Sequence, residues 1–187
     1  MGAHQTLLAM KKEITSWADF IDSDYMGAWS LPQGKDVVLT IAGYDNEEVF
    51  NPSSKKKEEK ITIHFAEKYT WIKKMIAGNA NGKILSKITR NKPPIECIGM
   101  MVQIGISDIT VAGKPIKALR VRDVYPEKIA SDYNALMAAI PLCKSRDEIN
   151  ALTKQYVLFM SNREEVRNLC NQKWTELGPT SETAKPE

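Results

Sequence analysis

Apolar residues in DVVLTIAGY (36–44) recur on a two-residue period. Val37, Leu39 and Ile41 fall on one side; Val38, Thr40, Ala42 and Tyr44 fall on the other. The stretch is rich in β-branched residues and follows the turn signal Pro32-Gln33-Gly34, so it predicts a strand. The same period returns in KITIHF, where Ile61, Ile63 and Phe65 oppose Thr62 and His64. Phe65 therefore belongs to the core. KYTWIKKMI (68–76) predicts a third strand, ECIGMMVQIGI (96–106) a fourth and IKALRVRDV (116–124) a fifth. In the last, Leu119 and Val121 alternate with Arg120 and Arg122, as in a half-exposed strand. Residues 45–59 show no apolar period. They hold Asn51-Pro52-Ser53-Ser54 and three consecutive lysines and predict a polar loop.

Elsewhere the spacing is helical. Leu7, Leu8, Ile14, Ala18 and Ile21 predict an N-terminal amphipathic helix, and Ile84, Leu85 and Ile88 a short helix stopped by Pro93-Pro94. After Pro126 the chain reads as helices, in EKIASDYNALMAAI and then behind Ser145 and Ser161. Each of these serines has a Glu three residues on, at 148 and 164, as in a capping box. The last residues, GPTSETAKPE, have the composition of a disordered tail. The organisation expected is an N-terminal helix and linker at 1–30, a β-barrel at 31–125, a helical region at 126–177 and a tail at 178–187.

Three strands, a short helix and two strands is the element order of the OB-fold, a small five-stranded Greek-key barrel. The fold class expected is therefore α+β: an OB-like barrel with a short helix between strands three and four, an N-terminal helix and a C-terminal helical extension. Four blocks, GKDVVLTI (34–41), KITIHFAE (60–67), ANGKILSKI (80–88) and ALRVRDV (118–124), resemble small phage- and prophage-encoded proteins of DNA replication and recombination. That resemblance implies an OB-type single-stranded DNA-binding module. The chain departs from bacterial single-strand-binding proteins in ending ETAKPE, without an acidic tail and hydrophobic tip.

Charge adds a direction. The net of +3 over 187 residues conceals a middle stretch, 51–125, with fifteen Lys and Arg against six Asp and Glu, a net of +9. Such a segment suits a polyanion. Apolar residues at 43% and charged residues at 26% exclude disordered and low-complexity classes. No apolar run approaches the roughly 18 residues of a membrane span. Nothing at the N-terminus reads as a secretory signal, and three widely spaced cysteines, Cys97, Cys143 and Cys170, suit free thiols. The expected setting is cytoplasmic, in the host cell if phage-encoded.

Single strands are held by cations along the backbone and by aromatic rings under the bases. The candidates are Lys55, Lys56 and Lys57 in the first loop; Tyr69, Trp71, Lys73 and Lys74 on the third strand; Arg120 and Arg122 on the fifth; and Tyr44 ending the first. The barrel order would bring them around one groove. Catalysis finds little support. There are two histidines, His4 and His64, and no HExxH, CxxC or metal-spaced Cys/His cluster. GNANGKI (78–84) comes near a phosphate loop but has three residues between its glycines, and Ile84 where Ser or Thr would hold magnesium. The expectation is a non-enzymatic protein with no cofactor and no metal. Its partner is single-stranded nucleic acid, DNA favoured, with no membrane. The C-terminal helices are a possible dock for a second copy or for another protein, and the alternative function is an OB-type scaffold that binds a host protein.

Overall fold

The computed structural model describes residues 25–31, 35–51, 54–67, 74–111, 113–160 and 163–178. The N-terminal helix expected at 5–21, the tail beyond 178, and Tyr69, Trp71, Lys73 and Ser161 lie outside them. The strands are β1 (Val37–Asn51), β2 (Lys56–Phe65), β3 (Lys74–Ile76), β4 (Met101–Val111) and β5 (Lys114–Val121). All pairs are antiparallel, and the sheet runs β3-β2-β1-β4-β5. Helix α1 (Asn79–Ile88) joins β3 to β4, and α2 (Pro126–Ala139), α3 (Arg146–Gln155), α4 (Val157–Met160) and α5 (Glu164–Glu176) follow β5. The class is α+β, with one five-stranded antiparallel sheet. No helix among the described residues is long and apolar enough to cross a membrane.

The pattern of β1 explains how sheet and helices meet. Val37, Leu39 and Ile41 enter one core with Ile63, Phe65, Met75, Ile88, Ile104 and Val121. Val38 faces the other way, into a second core with Leu136, Ile140, Phe159 and Val166. Full burial of one such side chain contributes about 1.5–3 kcal/mol, and β1 supplies both layers.

Residues 45–51 and 56–59, expected in a loop, are paired strands. The ladder continues from Tyr44↔Ile63 to Asn51↔Lys56. Both faces of this arm are largely solvated, so no apolar alternation marks it. Polar cross-strand contacts replace that signal: Lys57 pairs with Glu48 at 3.3 Å, and the Asn46 amide donates to Glu59 at 3.0 Å.

Single residues cap the two outer strands of the sheet where they border the first core. On β3, Met26 N donates to Lys74 O at 2.8 Å. On β5, the Asn81 side chain donates to Leu119 O at 3.3 Å and accepts from Val121 N at 3.1 Å. A 3-10 turn at Ala28–Ser30 packs against β5, with Met26 and Leu31 in the first core. GNANGKI is thus the first turn of α1, and Asn81 faces the sheet, buried. Ser145 caps α3 as expected, its hydroxyl accepting from Glu148 N. The three cysteines are free and buried.

Candidate functional site

A bulge in β1 shapes a groove beside α1. Ile41 pairs with Phe65 but Gly43 with His64, so β1 carries one extra residue around Ala42. That residue reverses the alternation. Tyr44, expected opposite Ile41, lands on the same side as Ile41. Both line a groove of about 400 Å³ between the arm and α1. Its floor is apolar, from Ile61, Ile63, Ala77 and Leu85, and Ser86, Asn91 and Lys92 add polar groups at its wall. Tyr44 is 40% exposed at the groove, Ile61 is 53% exposed and Phe50, farther along the same face, 61%. The volume and the mix of apolar floor and few polar groups suit a small organic ligand.

The Lys92 side of the groove is set by the end of α1. Asn91 N donates to Ser86 O and Arg90 N to Lys87 O. This is a Schellman closure, which ordinarily places glycine in the left-handed position. Here Arg90 (φ 56°) and Asn91 (φ 58°) hold it. The Ser86 hydroxyl meets the Asn91 side-chain oxygen across the turn.

The candidate cations divide. Lys55, Lys56 and Lys57 lie at the tip of the β1–β2 hairpin, Lys55 with φ 53°. Lys74 is held by Glu47 at 2.8 Å, and Arg120 donates to its own Leu119 O. Arg122 makes paired contacts to Asp36 at 2.8 and 2.9 Å and donates to Ser107 Oγ and Ile106 O. Asp36 precedes β1, whereas Lys56 pairs with its last residue, so Arg122 and the hairpin lysines lie at opposite ends of that strand. Lys87 and Lys117 are also ion-paired, with Asp123 and Asp108. Of the described candidate cations, Lys55, Lys56 and Arg120 are in no ion pair, and neither is Lys92 at the groove wall. Lys92, Phe50 and Ile61 were not apparent as site residues from sequence. An aromatic inside an otherwise polar stretch, as at Phe50, was the one signal available.

The Asp36–Arg122 contact is structural. The guanidinium and Gln103, which donates at 2.7 Å, hold the Asp36 carboxyl below its ordinary value of 3.8 against the opposing effect of burial. The pair lies over Gly105, where a Cβ would overlap both groups. Because the folded-state value is lowered, the contribution is complete above the unfolded value and is lost as pH falls below about 4. Asp36→Asn is expected to destabilise the protein by about 1.5–3 kcal/mol at pH 7. Urea titrations at pH 7 and pH 3 check this; a wild-type-to-variant gap that fails to narrow at pH 3 refutes it.

Comparison with family models, with curated proteins and with solved structures finds no match.

Proposed function

We propose that this chain is a non-enzymatic, sequence-tolerant single-stranded nucleic-acid-binding protein, with DNA favoured. The carrying observation is Tyr44: a half-exposed ring at an apolar groove of about 400 Å³ with Lys92 at its wall. The strand order supports an OB-like barrel as the scaffold. β1 pairs with β2 in one half and with β4 in the other, and the short helix lies between β3 and β4. In this reading the gap between β3 and β5 is covered by residues 25–31 and by Asn81 rather than by strand pairing. The phage replication and recombination proteins that the sequence blocks resemble are the functional class it fits.

A base stacks on Tyr44 in the groove, and Phe50 offers a second ring along the same face. Lys92, with Lys55 and Lys56 at the tip, meets the phosphates. Ion pairing of Lys57, Lys74 and Arg122 keeps the salt dependence moderate, since each phosphate neutralised adds only about 0.7 to the salt slope on single strands. Anisotropy titrations with labelled oligo-dT at two salt concentrations test this. Tyr44→Ala is expected to weaken binding by about 1–3 kcal/mol with an unchanged slope. Lys92→Ala is expected to lower the slope by about 0.7. Absence of binding by the wild type at low salt defeats the reading.

One observation favours a second reading. Phe50 and Ile61 extend the apolar groove onto an arm carrying Asp45, Glu47, Glu48, Glu58 and Glu59 among its lysines. A mixed-charge arm with exposed apolar residues also suits a protein-binding scaffold. A partner retained after nuclease treatment and insensitive to salt selects it.

A further inference from the structure

On the other face of the β1–β2 arm, His64 turns its Nε2 between two carboxylates. Nε2 lies 3.0 Å from Asp45 Oδ2 and 3.6 Å from Glu47 Oε1, and the three donor atoms lie within 4.8 Å of one another. The register builds this corner. Asp45 and Glu47 are alternate residues of β1, so they share a face. Opposite His64 stands Gly43, which has no side chain to fill the space.

Three further features distinguish the corner from a chance cluster of surface acids. First, Nε2 is buried and makes no hydrogen bond of acceptable geometry, although Asp45 is 3.0 Å away. The ring itself is a third exposed, but this nitrogen is screened from water, and an ion seated between it and the two carboxylates would supply the partner it lacks. Second, Glu47 is held in place. Its Oε2 accepts from Lys74 Nζ at 2.8 Å and from the Tyr25 hydroxyl at 2.6 Å, and its Oε1 accepts from the buried Thr62 hydroxyl at 3.1 Å. Third, Asp45 is exposed and leaves a way in.

We propose that Asp45, Glu47 and His64 form a binding site for a divalent transition-metal ion of the Zn²⁺, Co²⁺ or Mn²⁺ class. One imidazole nitrogen and two carboxylate oxygens are a borderline donor set, which suits these ions better than Mg²⁺ or Ca²⁺. Three protein ligands leave at least one coordination position for water. Lys74 is not a ligand; it neutralises the second Glu47 oxygen and keeps that carboxylate oriented, as outer-shell partners do. The cysteines take no part: Cys97 lies in the first core, and Cys143 and Cys170 in the helical one.

The test uses the full chain without an affinity tag and the metal alone, so its outcome is separate from the nucleic-acid reading. Titration with Co²⁺ or Zn²⁺, followed by calorimetry and by the visible cobalt spectrum, is expected to show one saturable site per chain. The cobalt spectrum should lack the intense charge-transfer band of cysteine ligation. Asp45→Asn, at an exposed position, and His64→Gln are each expected to lower affinity by at least about tenfold. His4→Ala, which removes the other histidine, is expected to leave binding unchanged. No saturable binding by the wild type overturns the proposal. So does wild-type affinity in a folded Asp45→Asn variant, with circular dichroism reporting the fold.

Discussion

Arg163→Met is expected to destabilise the protein by about 3–5 kcal/mol. Arg163 begins the turn into α5 and reaches back to the sheet. Its Nη1 meets Glu67 Oε1 at 2.7 Å, its Nη2 donates to Thr40 Oγ1 at 3.0 Å, and its guanidinium lies 5.5 Å from the Tyr133 ring centre. Glu67 in turn accepts from Thr40 N at 2.6 Å. The two side chains are 8% and 12% exposed, so removal of the cation leaves a nearly buried carboxylate whose charge is no longer balanced. The apolar replacement restores volume but not charge. The double variant Arg163→Met/Glu67→Gln is therefore expected to recover most of the loss, because the desolvated charge goes with its partner. Urea denaturation of the two single variants and the double variant decides this. A single variant within about 1 kcal/mol of wild type shows that water reaches Glu67 and that the pair is equivalent to a surface one.

The second large effect is expected at Asn81. Its side chain stands where a further strand would pair, giving a donor to Leu119 O and an acceptor to Val121 N. Asn81 is 5% exposed, and both backbone groups lie under it. Asn81→Ala leaves two buried main-chain groups unsatisfied, at about 1–3 kcal/mol each, and a net loss of about 2–4 kcal/mol is expected. Asn81→Asp keeps the acceptor for Val121 N but sets a carboxylate against Leu119 O, so it is expected to be no better than alanine. Hydrogen exchange locates the cause: protection at the Val121 amide should fall before that of the rest of β5. If it falls no more than its neighbours, Asn81 is only a packing residue.

The fold was legible where one face of an element is apolar and the other is not. Val37, Leu39 and Ile41 against Val38 announced β1, and Leu119 and Val121 announced β5. Ser145 followed by Glu148 announced α3. The arm at 45–59 was hidden because solvated strands have no apolar period. Tyr44 was placed on the opposite side from Ile41 because alternation counts residues, and a bulge adds one without any mark in the residue types. The candidate groove was therefore visible only as Tyr44, not as a shape. Arg122 illustrates a different gap: composition counts a cation but not the Asp36 carboxylate that meets it, 86 positions away. The corner at His64 had no sequence signature for a similar reason. Its ligands are cross-strand neighbours, brought together by register and not by spacing.

The first half of β1 is covered on both sides, and this bears on how the molecule melts. Val37 and Leu39 are sealed beneath one layer and Val38 beneath the other, each at most 1% exposed. Stripping away the C-terminal helices would lay Val38 and the apolar side of Met101 open to water, along with the Thr40–Glu67 contact that Arg163 completes. The pattern boundary near residue 125 is crossed by this second core. Heat or denaturant is therefore expected to act on the sheet and its helical cover as one cooperative unit, and a fragment ending at residue 125 starts life with an uncovered strand at its centre.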